Sequence, residues 1–124
     1  MSGAFDFKNC SRCEQRWRTC AEFVRDRELE TNGYQASLGH PEEGLILVTH
    51  VSAECGTTLA VLAEDLKPLY HGPLYTEFCA GEDVCERHCL DDGDLEECAA
   101  PCAMSWVRVV LQYLRRHELP PASA

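Results

Sequence analysis

Apolar residues recur along the chain with two periods, and the change between them divides the sequence. From 14 to 30, Trp17, Cys20, Ala21 and Val24 return every three or four positions among Arg and Glu, which predicts an amphipathic helix. Asn32-Gly33 would stop it, because both residues tolerate the left-handed conformation at a helix end. The period then shortens. Tyr34 to Leu38 reads as a short strand broken by Gly39-His40-Pro41, and Gly44 to Val51 (GLILVTHV) is the most strand-like run. A third strand follows from Thr57 to Leu62. One or two helical turns from Glu64 to Tyr70 are limited by Pro68. Beyond the Gly72-Pro73 boundary, two short helical pieces are expected on either side of Asp91-Asp92-Gly93-Asp94. The last element is the clearest helix, Met104 to His117. It carries a Val107, Val110, Leu111, Leu114 stripe widened by Trp106 and Tyr113, and cations sit in its last turn. Pro120-Pro121 ends it.

This order predicts an α+β fold in one domain over 1–124. A zinc-ribbon-like half (9–72) would hold a small antiparallel sheet and an N-terminal helix. The other half (73–119) would hold a cysteine-bearing helical hairpin and the long C-terminal helix, with the Val107, Leu111, Leu114 stripe packed on the sheet.

The core available to such a fold is lean. The chain has 124 residues and 45% apolar residues, but nine of these are Cys and one is Ile. A chain this short buries only about two-thirds of its unfolded surface, so cross-links are expected to supplement packing. Eleven basic against 21 acidic residues give a net charge of −10, which argues against a nucleic-acid partner, since polyanion binding draws on clustered Lys and Arg. The Arg residues near the amino terminus alternate with acids and read as a solvated helix face. No apolar run reaches the ~20 residues that span a bilayer. The first ten residues have neither a basic nor an apolar leader region, so a cytoplasmic protein is expected.

In that reducing compartment an odd number of closely spaced cysteines points to metal-held thiolates more than to disulfides. The first group is Cys10-x2-Cys13, His50 and Cys55. Two residues between thiolates let both sulfurs reach one tetrahedral centre, the geometry of a zinc knuckle. A redox dithiol of the same spacing would follow a strand and open a helix, and the sequence predicts no strand before this one. His50, at the end of the strongest strand, and Cys55, followed by a permissive Gly56, would complete the site. Cys20 is an alternative fourth ligand or a buried apolar residue.

The second group is Cys85-x3-Cys89 and Cys98-x3-Cys102, with Cys79 and His88 as spares. On helices each pair would present two sulfurs on one face. Zinc, two disulfides or an iron–sulfur cluster could fill such a hairpin. Residues 77–98 carry nine acids and one base, so a cation or a covalent bond would relieve the repulsion. No phosphate loop, G-x-S-x-G or H-E-x-x-H is present.

The series Cys10-x2-Cys13, Gly33-Tyr34-Gln35, Gly44 with its apolar strand, His50, Cys55-Gly56-Thr57-Thr58, Leu69-Tyr70-x-Gly72-Pro73, Cys85-x3-Cys89-Leu90 and Cys98-x3-Cys102 resembles a family of small, cysteine-rich, zinc-ribbon-like bacterial proteins of unknown function. It covers about residues 10–114. The likeness implies a bacterial cytoplasmic protein and treats Cys10, Cys13, His50, Cys55 and the paired C-x3-C as one set, although four residues separate His50 from Cys55 where the family pattern has fewer. It implies no reaction. The expectation is therefore a non-enzymatic interaction or regulatory module with a protein partner, stabilised by one or two zinc ions. The alternatives are a redox or iron–sulfur protein using the second group, and a zinc enzyme if His50 left a coordination position open.

Overall fold

The computed structural model describes residues 6–10, 12–13, 15–37, 39–52, 55–79, 85, 87–98 and 101–120. Two antiparallel sheets and a C-terminal helix organise it. Lys8–Asn9 (β1) pairs with Arg16–Trp17 (β2), and the hairpin they form carries Cys10 and Cys13 at its tip. A short helix, Cys20–Arg25 (α1), follows, capped where the Thr19 side chain accepts from the Glu22 backbone N–H. Leu29–Gln35 (β3), Leu45–His50 (β4) and Thr58–Leu62 (β5) make a three-stranded sheet in the order β3-β4-β5. Ala63–Leu66 (α2) runs into a 3-10 turn at Lys67–Leu69, and Ser105–Arg116 (α3) closes the fold.

Strict alternation explains why β4 and β5 form. Ile46, Val48 and His50 point inward on β4, as do Leu59 and Val61 on β5. The buried face meets Val107, Val110, Leu111 and Leu114 of α3, with Phe23 and Val24 of α1 in the same core. The stripe read from the sequence is the stripe that packs, and α3 ends one residue before His117, which takes the left-handed cap conformation.

Two expectations are corrected. The 14–30 segment is not one helix: Trp17 lies on β2, a six-residue α1 follows, and β3 begins at Leu29. Trp17 still reaches the core, stacking edge-on against Phe23 at 5.2 Å, with its indole N–H donated to Asp26 at 2.8 Å. Of the residues that gave a helical period, Trp17 and Val24 are thus buried from two different elements. Asn32-Gly33 stops nothing; it lies inside β3 at a register shift between Thr31 and Gly33, a β-bulge. A side chain at Gly33 would meet the Asp92 carbonyl at 3.2 Å, and the Tyr34 N–H donates to that same oxygen. Glycine here admits the acidic segment 91–96 against the strand.

The helical hairpin is the second correction. Among the described residues, the C-x3-C segments form no α-helix, only a 3-10 turn at His88–Leu90. The cause is local: like charges crowd 91–97, and Pro101 occupies the second pair. The segment takes its shape from α3 instead. Arg108 donates to the carbonyls of Asp94 and Glu96, and Gln112 and Arg115 both donate to that of Leu95. Among the described residues, no helix is long and apolar enough to cross a membrane.

Leu111 is fully buried and Leu90 is 64% exposed. We expect Leu111→Ala to lower unfolding free energy by about 2–5 kcal/mol, and Leu90→Ala to stay within about 0.5 kcal/mol, both read by urea denaturation.

Candidate metal centre

Two hairpin tips meet at one point. The first belongs to β1 and β2, whose pairing is extended by the Cys10 N–H donating to Gln15 O at 2.8 Å and the Phe7 N–H donating to Arg18 O at 3.3 Å. The second joins β4 to β5. His50 donates its N–H to Thr57 O at 2.8 Å, and Gly56 donates back to His50 O at 2.7 Å. Gly56 has φ +110°, with nothing within 4 Å of where a Cβ would lie, so the turn needs glycine for its backbone and not for space. Lys8 Nζ, donating to Ala60 O at 2.8 Å, ties the first hairpin to β5.

At this junction the ligand atoms of Cys10, Cys13, His50 and Cys55 all lie within 4.8 Å of one another. The Cys10 and Cys55 sulfurs are 3.5 Å apart, and Cys13 Sγ is 3.3 Å from His50 Nδ1. All four residues expected in this set are therefore brought together, and the four residues between His50 and Cys55 do not displace the histidine. Cys20 is not among them. It opens α1 against the main core, and burial, helped by Asp65, pushes its thiol up to about 11. Cys20 behaves as a packed apolar side chain.

His50 is 3% exposed and is held on three sides. Trp17 packs edge-on to its ring at 5.3 Å, Nδ1 faces the sulfurs, and Nε2 is 4.0 Å from Glu28 Oε1. Placing the ring proton on the Glu28 side leaves Nδ1 with its lone pair toward the cluster, the arrangement a histidine ligand needs.

The electrostatics favour thiolate where the backbone supplies donors. The Thr57 hydroxyl and N–H draw the Cys55 thiol down to about 6, opposed by burial and aided by Cys10 and His50. Burial works against ionisation of Cys10, but the N–H groups of Cys13 and Arg12, with His50, carry it below the ordinary thiol range. Cys13 gains from the Gln15 N–H yet is held above that range by burial and by Cys10 and Cys55. Burial disfavours the His50 cation, but the adjoining sulfurs raise its affinity for a proton overall. Three sulfurs and one ring nitrogen so close together cannot all shed their protons unless a cation neutralises them. Three soft sulfurs and an imidazole in one small sphere form a set of the kind that holds zinc.

The second set is brought together differently. Cys89, Cys98 and Cys102 pack in a satellite cluster with Met104 and Ala36, and Cys79 joins them. Cys85 lies outside that cluster, its sulfur accepting from the Arg87 N–H at 3.3 Å. His88 is 2.7 Å from Asp94 through Nδ1, an ion-pair partner the sequence did not suggest. No family model, curated protein or solved structure matches the chain.

We expect Gly56→Ala to cost the centre about 1–3 kcal/mol of metal affinity through backbone strain, read by competition with a chromophoric chelator. Affinity equal to that of the parent chain would show that the turn does not set the site.

Proposed function

We propose that this chain is a zinc-stabilised, non-enzymatic module whose metal centre is Cys10, Cys13, His50 and Cys55, and whose role is to present a folded surface to a protein partner in a bacterial cytoplasm. One observation carries the reading: four ligand atoms from two separate hairpins lie within 4.8 Å of one another around a buried histidine. Two hairpins contributing ligands at their tips is also the logic of a zinc ribbon, which supports the sequence-based likeness.

Four protein ligands close a tetrahedral shell, and a closed shell suits a structural ion better than a catalytic one. The apolar economy of the chain points the same way. The knuckle hairpin has two-residue strands, too short to hold a loop in place by themselves. A structural zinc contributes on the order of 10 kcal/mol or more of folding free energy, which is ample to fix it. The turn of Gly56 and the Trp17–His50 contact then connect the bound ion to the main core.

The test is elemental analysis with thermal unfolding. The purified chain should carry zinc, and a chelator should lower its melting temperature. Cys10→Ser should remove one zinc per chain and unfold the knuckle hairpin, whereas Cys20→Ser should keep the metal. Retention of every zinc in Cys10→Ser would overturn the assignment.

A further inference from the structure

The second cysteine cluster stands beside an unusual charge. Arg108 is fully buried in α3. Its Nη1 serves the carbonyls of Asp94 and Glu96, but among the described residues Nε and Nη2 have no hydrogen-bond partner. Among the described residues, Nη1 lies 4.0 Å from a carboxylate oxygen of Asp94, and Asp94 is already engaged by His88. A guanidinium withdrawn from water in this way requires compensating negative charge.

Tyr34 links this cation to the sulfurs. Its ring lies 5.3 Å from the Arg108 guanidinium carbon, and among the described residues its buried hydroxyl also lacks a partner. Burial holds that phenol un-ionised, while the charges of Cys89 and Arg108 act on it with opposite sign. Cys89 and Arg108 therefore both act electrostatically on the same tyrosine.

The cysteines themselves are anchored. The Ala103 N–H donates to Glu77 O at 2.7 Å, which lays segment 77–79 beside 101–103. Within that pairing the Cys79 N–H donates to Cys102 Sγ at 3.3 Å. Cys102 is 7% exposed. These sulfurs are not gathered as tightly as the ligand atoms of the first centre, but all four side chains belong to one packed group.

We propose that Cys79, Cys89, Cys98 and Cys102 form a second, tetrathiolate zinc site for which Arg108 is the buried counter-charge. Cys79 takes the place that the twin C-x3-C spacing gives to Cys85. On binding a divalent cation the four thiols release their protons to solvent, leaving a centre of charge −2 flanking the segment whose carbonyls the under-compensated guanidinium holds. The sulfurs and the arginine each supply what the other lacks, and the ion draws the sulfurs together. Arg108 acts here as a positioning residue, since it works on the thiolates through charge and through Tyr34.

The site is independent of the first centre, and the experiment separates them. Zinc is counted in the full-length parent chain and in Cys10→Ser, Cys79→Ser and Cys85→Ser. Two ions are expected in the parent and in Cys85→Ser, and one in each of the other two variants. Because a cysteine variant can fail by misfolding, the parent chain is also pulsed with N-ethylmaleimide before and after chelation and mapped by mass spectrometry. Cys85 should label at once, and Cys79, Cys89, Cys98 and Cys102 only after metal is removed. Arg108→Met should weaken the second zinc about tenfold or more and leave the first unchanged. One zinc in the parent, lost in Cys10→Ser, would overturn this site while keeping the first. Loss of the second ion from Cys85→Ser but not Cys79→Ser would overturn the ligand set. A brown, iron-containing protein, or cysteines of the cluster joined as disulfides, would overturn the zinc assignment.

Discussion

The meeting of two hairpin tips at His50 is the constraint on which the N-terminal half of the structure rests. His50 is the last residue of β4 and sits on the buried face of the sheet, so its backbone belongs to the core while its ring belongs to the sulfur cluster. Trp17 joins the two from the other side, touching Phe23 at one edge and His50 at the other. With three sulfurs crowded around the imidazole, the hairpins meet at a place where like charges would otherwise accumulate. The same feature could hold a cation at that point. A metal held there would give a small sheet, which lacks the apolar mass to secure a two-residue hairpin, an attachment point.

What could be read from the sequence followed from how local each signal was. β4, β5 and α3 each carry a complete pattern within themselves, a short apolar run in the strands and a four-residue stripe in the helix, and each formed within a residue or two of its expected ends. The knuckle was legible for the same reason, since Cys10 and Cys13 are neighbours and Gly56 marks the turn that returns Cys55. The first thirty residues were misread because Trp17, Ala21 and Val24 happen to recur at helical spacing. The Cys10–Cys13 turn folds the chain back on itself, and that reversal gives residues 16–17 a strand partner no periodicity records.

The second group shows the opposite case. Equal C-x3-C spacing describes a helical hairpin only if the intervening residues favour helix, and the acidic run with Pro101 does not. Once the helices are lost, positions i and i+4 no longer share a face, and nothing keeps Cys85 beside Cys89. Long-range contacts then decide which sulfurs meet. The Ala103–Glu77 hydrogen bond brings Cys79 to Cys102, a pairing 23 residues apart that spacing could not reveal. Gly33 had a similar hidden purpose. Its lack of a side chain serves a carbonyl nearly sixty residues away.

Charge explains why the acidic segment is held at all. Residues 77–98 carry −8 of the chain's net −10, yet Asp92 lies against β3 and residues 94–96 against α3. The polar residues of α3 act on its backbone: Arg108, Gln112 and Arg115, one helical turn apart, reach the carbonyls of Asp94, Leu95 and Glu96. Binding carbonyls leaves most of the carboxylates in solvent, where water screens them, and spares the cost of burying them. The helix thus has two working faces. Its apolar stripe makes the core with the sheet, and its polar stripe anchors the segment between the later cysteines.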